Sequence, residues 1–419
     1  YFSRFYGEGN WSNGSGCGND MATERTMARN FIVDSILYWV EEYHIDGFRF
    51  DLAGLIDTTT INEIVNTVHA KYPYVMFYGE GWTAGDTAVE YGNSLATKGN
   101  AYLTPGFGYF NDDFRNGIAG DNGKTWGFAS GSWDYADRIG SWFRAGNSWA
   151  QSPSQSINYV SAHDNYCLTD KLLISRNGAY WDEIAKMNAL SASVVMLSEG
   201  VPFLYSGDEM LREKKDYNGN RVENGYSGGD YANQINWADL TYKEYANRTS
   251  DYYAGLIEFR KNHAALRSNN GGYIWSDISY HKISDQTVLF YINGSLNGDC
   301  ADGIAVIFNA NSSSVQINLG NYIPSGYWQA CIHGTQAGVT PLWGVDVASG
   351  SGSIGVDGIS TTVLVLGDLI DENSVYNKQA SKCSHANHNT SAMCTNCGKT
   401  VSHTYVNGSC SICGLSQSA

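Results

Sequence analysis

The sequence predicts an α/β protein: a parallel sheet of the (β/α) barrel type, followed by a β-sandwich and a small metal-binding tail. Three observations carry this. Up to about residue 268, strand-like apolar runs alternate with helical periodicity, the pattern of a parallel sheet. In three of those runs the apolar body ends in a polar cluster, as at the carboxyl ends of barrel strands, where catalytic groups gather. Beyond about residue 270, short β-type runs separated by Gly, Asn and Ser take over, and residues 383–419 hold five of the nine cysteines.

In chain order, the first helix ends near Tyr43 and sets Ile32, Ile36, Val40 and Tyr43 on one face. A strand over 45–52 comes next. Ile45, Phe48, Phe50 and Leu52 supply its apolar mass, while Arg49 and Asp51 stand two apart on one face as a hidden pair. A core tolerates neither charge alone, so the pair asks for a function. The following helix places Ile61, Ile64, Val65 and Val68 on one side, and YVMFYGEGW (74–82) reads as the second strand. INYVSAHDN (157–165) is a third strand, IAKMNALSASVVML (184–197) a helix and VPFLYSGDEM (201–210) a fourth strand. Asp208 and Glu209, at that last strand's end, suit a brace of the sheet as well as a substrate contact, and Cys17, in a Gly/Ser/Asn loop, reads as a packed thiol. Strands of a sandwich over 269–368 are expected in YIWSDISYHKI, TVLFYING, IAVIFNAN, SVQINL, YWQACIHG and TTVLVLGD. Residues 369–382 are polar, lack a core pattern and read as a linker.

Composition narrows the function. A net charge of −16 with no Lys/Arg cluster repels nucleic acid and anionic membrane, so a neutral ligand suits the chain better. Aromatic residues reach 13%, with 12 Trp and 29 Tyr, which fits surfaces that stack on sugar rings, although packing accounts for most of them. No run of about 18 apolar residues spans a membrane.

Two carboxylates at neighbouring strand ends, Asp51 and Glu80, are the minimum kit for glycoside hydrolysis: one attacks or supports the anomeric carbon, the other protonates the leaving oxygen. Arg49 beside Asp51 would hold that carboxylate ionised, and HDN (163–165) adds a third polar strand end. With these residues the sequence resembles the α-amylase superfamily, most closely its pullulanase-type debranching enzymes. DGFRFDLAG (46–54) is similar to the family's nucleophile segment, YGEGW to its acid/base segment and YVSAHDN to the segment of its third carboxylate. WSNGSGCGND (11–20), FGYFNDDFRNGIAG (107–120), VPFLYSGDEM and NQINW (233–237) extend the likeness over roughly residues 1–268.

The resemblance implies Asp51 as nucleophile, Glu80 as general acid/base and Asp164 as the group that holds sugar hydroxyls as the ring flattens. It implies that Arg49 orients Asp51, that His163 contacts the reacting sugar and that Trp82 borders the cleft as a stacking platform. The expected activity is retaining hydrolysis of α-1,6 linkages in pullulan, starch or glycogen fragments, by a secreted or cell-surface bacterial enzyme. Two rivals are α-1,4 cleavage by an amylase or neopullulanase relative and a non-catalytic starch-binding surface protein. The family's first segment, a strand ending in Tyr-Asn-His, and its Tyr-Asn-Trp-Gly-Tyr-Asp-Pro stretch do not occur here. The resemblance therefore implies an incomplete (β/α)8 barrel over 1–268, about strands 4–8, and a fragment inactive by itself. Thr169 stands where the family has a Trp.

In the tail, CTNCGKTVSHTYVNGSCSIC (394–413) sets two Cys-x-x-Cys pairs 12 residues apart. Cys394, Cys397, Cys410 and Cys413 suit a four-thiolate zinc knuckle, with two disulfides as the alternative in an oxidising setting. The module over 383–419 resembles Cys-rich tails of bacterial extracellular proteins, which implies attachment to a cell surface or a protein partner.

Overall fold

The computed structural model describes residues 3–7, 9–122 and 124–372 and the backbone of Tyr405–Val406 and Ser409–Cys410. Those last two segments pair antiparallel; residues 373–382 of the expected linker and the rest of the expected tail, including Cys394, Cys397 and Cys413, lie outside the described residues.

Helix α1 (Thr26–Tyr43) buries Val33, Ile36 and Val40, but Tyr43 does not join them. It is 55% exposed and lies against the exposed Trp39 in a tilted ring contact with centres 4.6 Å apart, and the chain leaves the helix at His44, in the left-handed region at φ 54°. Helix α2 (Thr58–His69) starts where the buried Asp57 side chain accepts the Thr60 amide, and it buries Ile61, Ile64, Val65 and Val68 as the periodicity predicts.

Five short strands form one parallel sheet in sequential order: β1 (Gly47–Phe50), β2 (Met76–Gly79), β3 (Gly108–Phe110), β4 (Ser156–Asn158) and β5 (Val201–Pro202). The sequence reading overshoots each of its four strands, since the polar residues at their carboxyl ends leave the ladder for loops. It also missed β3, whose three residues are too few to show a period, yet all three are buried between β2 and β4.

Further helices include α3 (Asp112–Ala119), α4 (Ala136–Trp142), α5 (Leu168–Ser175), α6 (Trp181–Leu197) and α7 (Ala246–Asn262). Helix α8 (Gly271–Asp277) occupies the first half of a stretch read as strand. There Asn270 caps the backbone by accepting from the Gly272 and Tyr273 amides, and the cap outweighs the β preference of Tyr273, Ile274 and Trp275.

The β region contains β6 (Ile278–Ser284), β7 (Thr287–Asn293), β8 (Ala301–Asn309), β9 (Val315–Asn318), β10 (Gly326–His333), β11 (Trp343–Val347), β12 (Ser353–Val356) and β13 (Ser360–Gly367). Six of these make an antiparallel sheet ordered β11-β10-β13-β8-β7-β6, and β9 pairs with β12 in a second, two-stranded layer. Strands β11 and β12 were not anticipated. Trp328, Ile307, Leu289, Leu364, Ile354 and Val356 fill the core that includes both layers. The other face of the large sheet packs on helices: Phe143, just past α4, stacks on Phe290 with ring centres 3.9 Å apart, and one apolar cluster runs from α3 and α6 into β7, β8 and β13. Among the described residues, no helix is long and apolar enough to cross a membrane.

Candidate active site

The register of the first two strands builds the centre of the site. Phe50 pairs with Gly79, so the next residue on each strand, Asp51 and Glu80, emerges side by side at the sheet's carboxyl edge. The two loops then lock together. The Glu80 amide donates to Phe50 O (3.2 Å) and the Gly54 amide to Glu80 O (2.9 Å). A Cβ on Gly54 would lie 2.3 Å from Trp82 O, so only glycine lets the backbones meet here.

Arg49 connects both carboxylates. Its Nη1 donates to Asp51 Oδ1 (2.6 Å) and its Nη2 to Glu80 Oε1 (2.7 Å), one guanidinium gripping two acids. The expectation of a hidden Arg49–Asp51 pair is corrected here: the Asp51 side chain is 76% exposed, whereas Glu80 is the buried partner at 8%. Asp51 sits past the end of its strand, at the mouth of a cleft, and is therefore presented outward. Leu52, next in the chain, is held in the left-handed region (φ 40°), and its amide donates to Glu80 Oε2 (3.0 Å). A non-glycine residue there costs on the order of 1–2 kcal/mol, a strain that the Glu80 contact offsets.

Glu80 titrates above the ordinary carboxylate range. Burial is the largest cause, the nearby negative charges of Asp51 and Asp164 add to it, and the Leu52 amide and Arg49 oppose it. A carboxyl group that keeps its proton more readily than usual, beside an exposed carboxylate, is the division of labour that a general acid and its companion need.

These groups line a cleft of about 590 Å³ together with Trp82, His163 and Asp164. His163 Nε2 stands 3.6 Å from Asp164 Oδ2. Their loop follows β4 and is tied from below by the buried Lys214, whose Nζ donates to the backbone oxygens of His163 (2.9 Å), Asn165 and Glu223 (3.1 Å). Trp82 serves two ends: it faces the cleft and packs against the buried cluster of Phe110, Ile157 and Tyr159. Arg49, Asp51, Glu80, Trp82, His163 and Asp164 are thus brought together.

Other lining groups escaped the sequence reading. Arg115, from α3, donates to the Tyr159 hydroxyl (3.1 Å), and burial pushes that phenol up to about 12. Asp112 pairs with Lys98 at the cleft edge, and Tyr226 stands 77% exposed at its rim. The polar ends of β3 and α3 held the signal for Asp112 and Arg115, but without β3 they had no strand to follow. Cys17 corrects a second expectation, since its thiol is exposed and lines the cleft. Asp208 is a brace: 2% exposed, it accepts from the Ser161 hydroxyl, and burial pushes its carboxyl up to about 7.

For a metal, the described residues offer His263, Asp299 and Cys300, whose ligand atoms lie within 4.8 Å of one another. Asp299 is already spent on His263 Nδ1 (3.0 Å) and the Ala265 and Ala301 amides (2.7 and 2.9 Å), which makes the His263–Asp299 pair a buried clamp.

A parallel sheet thus presents two acids on one arginine at its carboxyl edge, and residues 16–227 match the family model "Alpha amylase, catalytic domain". The chain belongs to that family. Pullulanases and an isoamylase are among its relatives: it is 34% identical over 376 residues to the pullulanase of Bacillus subtilis (strain 168), covering 87% of this chain and 49% of that protein. Among solved structures, the pullulanase from Bacillus acidopullulyticus superposes with a TM-score of 0.79 at 37% identity, over 87% of this chain and 43% of the other. The pullulanase from Paenibacillus barengoltzii, solved in complex with maltohexaose and alpha-cyclodextrin, gives 0.76 at 31% identity, over 88% of this chain and 55% of the other. The chain thus spans about half the length of these relatives.

Proposed function

We propose that the chain carries the catalytic centre of a retaining hydrolase that cleaves α-1,6 linkages in α-glucans such as pullulan, starch or glycogen fragments. The single observation that carries this reading is the Arg49 fork, which holds an exposed carboxylate and a buried carboxyl side by side at one sheet edge. Asp51 attacks the anomeric carbon, the bond from that carbon to the bridging oxygen breaks, and the Glu80 proton passes to the leaving oxygen. Water then gives its proton to Glu80 and its oxygen to the anomeric carbon, releasing Asp51. Asp164 and His163 bind hydroxyls of the reacting ring, and Trp82 supplies a stacking face. Pullulanase relatives, one of them solved with maltohexaose, support the linkage and the substrate class.

On this reading the five parallel strands are the later part of a (β/α)8 barrel, residues 1–268 form the catalytic unit and 269–368 the sandwich. The protein works outside the cell or at its surface, where polymeric glucans are met. The tail binds one structural Zn²⁺ through Cys394, Cys397, Cys410 and Cys413, a reading supported by the spacing of the two pairs. Metal analysis should find one zinc per chain, absent after Cys397→Ser; unchanged zinc would refute it.

The decisive experiment is pullulan hydrolysis by the protein and its variants. Asp51→Asn should remove turnover by at least about 10⁴-fold while glucan binding persists, and product NMR should show the α-anomer first. Glu80→Gln should spare activated aryl glycosides relative to pullulan, because a good leaving group departs with little protonation. Appreciable hydrolysis by Asp51→Asn, or an inverted product, would sink the assignment.

A further inference from the structure

A second cavity, of about 700 Å³, lies apart from the cleft and shares none of its lining residues. Its walls come from the segment 268–270, from α8 and from the turn 295–298 between β7 and β8. A neighbouring cavity shares Ser268 and Asn269 with it and reaches Ser154 and Gly200, which precede β4 and β5. The site therefore lies toward the amino ends of the parallel strands, whereas the cleft lies at their carboxyl ends.

What sets this cavity apart is how its amides are spent. Asn269 Oδ1 accepts from the Ser154 amide (3.2 Å), and Asn270 Oδ1 accepts from the Gly272 and Tyr273 amides (3.1 and 3.3 Å). Asn297 is used the other way round: its Nδ2 donates to the backbone oxygens of Ala264 (2.8 Å) and Arg267 (3.4 Å). Each amide is oriented by the backbone at one end and, among the described residues, unspent at the other. Two donors, Asn269 Nδ2 and Asn270 Nδ2, and one acceptor, Asn297 Oδ1, are left for solvent or a ligand on exposed residues that line this one cavity. The Asp277 carboxylate adds acceptors, and Tyr273, 63% exposed, adds an aromatic face.

Hydroxyl groups both donate and accept, so a neutral polyol satisfies such a mixed set, and a pyranose also offers an apolar face for the ring of Tyr273. An anion finds no Lys or Arg among the described lining residues, and the amide donors disfavour a bare cation. We infer that this cavity is a second, non-catalytic α-glucan-binding site, formed by Asn269, Asn270, Tyr273, Asp277 and Asn297. The ligand class rests on the proposed function above. A site on the far end of the sheet from the cleft would hold a polymer without competing for the reacting segment, and prepaid amide orientation lowers the ordering cost of binding.

The test is calorimetric titration of the 419-residue chain with maltohexaose, using Trp82→Ala, Tyr273→Ala, Tyr273→Phe and Tyr273→Ala/Asn297→Ala, each checked for an unchanged circular dichroism spectrum. The parent should bind at two sites. Trp82→Ala should weaken one; Tyr273→Ala should weaken the other by about 10-fold, the double variant should abolish it, and Tyr273→Phe should cost less than about 3-fold. A double variant that keeps both sites overturns the inference, as does a parent with one site sensitive to Trp82 alone; in both cases the cleft reading stands. Binding sensitive to Tyr273 but indifferent to Trp82 supports this site and counts against the cleft instead. A cavity that takes Ca²⁺ and no maltohexaose overturns the inference as well.

Discussion

Replacing Arg49 with methionine should change how Glu80 ionises, by an amount that the geometry sets. The guanidinium donates to Glu80 Oε1 at 2.7 Å, and the Glu80 side chain is only 8% exposed, so solvent screens this contact little. A hydrogen bond to a charged group is worth about 1.5–3 kcal/mol net. Methionine keeps the stem's bulk and withdraws that support from the ionised form alone. The ratio of ionised to protonated Glu80 at fixed pH should fall by about 10- to 100-fold. Its titration midpoint moves to higher pH, on top of the elevation that burial already causes. The Leu52 amide donates to Glu80 Oε2 and is a local reporter of that ionisation. Following the Leu52 amide resonance against pH in parent and variant reads the midpoint directly, with no need for turnover. In an active preparation kcat should also drop by about 100-fold, because Asp51 loses the bond at 2.6 Å that orients it. A Leu52 midpoint that stays put, or moves to lower pH, would refute the claim that Arg49 favours the charged form of Glu80.

A second expectation concerns stability against pH. Burial pushes the Glu199 carboxyl up to about 8, with Arg260 and the Ser268 amide, which donates at 3.0 Å, holding it back. Its folded state therefore binds the proton more tightly than the unfolded chain. The stabilisation is complete below about pH 4.5 and is lost as pH rises through about 8, on the order of 5 kcal/mol in all. Asp208, pushed up to about 7, acts in the same direction, and Lys171, pushed down to about 7, offsets them only above that pH. Thermal melts of Glu199→Gln should show a weaker loss of stability between pH 5 and 8 than the parent; parallel curves would discard the argument.

Much of the site was legible because its chemistry is written on single residues. Asp51, Glu80, His163 and Asp164 each follow an apolar run, and a charge that ends a buried run has few places to go except a strand's open edge. Helix α2 was legible for a similar local reason, since the spacing of Ile61, Ile64, Val65 and Val68 is a property of contiguous sequence. Strand β3 was not, because three residues hold no period and their burial comes from neighbours 30 and more positions away in the chain. Helix α8 was hidden behind its β-prone side chains, because the Asn270 cap that starts it is a hydrogen-bond arrangement of the folded backbone.

The sequence by itself determined the alternating α/β order, the later turn to β structure and the acids at the strand ends, because each depends on neighbours along the chain. Only the tertiary structure decided which acid is buried. Parallel pairing of Phe50 with Gly79 sets Asp51 beside Glu80, and Arg49 then spans both. It also decided that Cys17 faces the cleft, that Tyr43 faces solvent and that three asparagines converge on one cavity. Exposure and the free end of an amide are settled by whichever distant backbone arrives next to them, and that is fixed only when the chain has closed on itself.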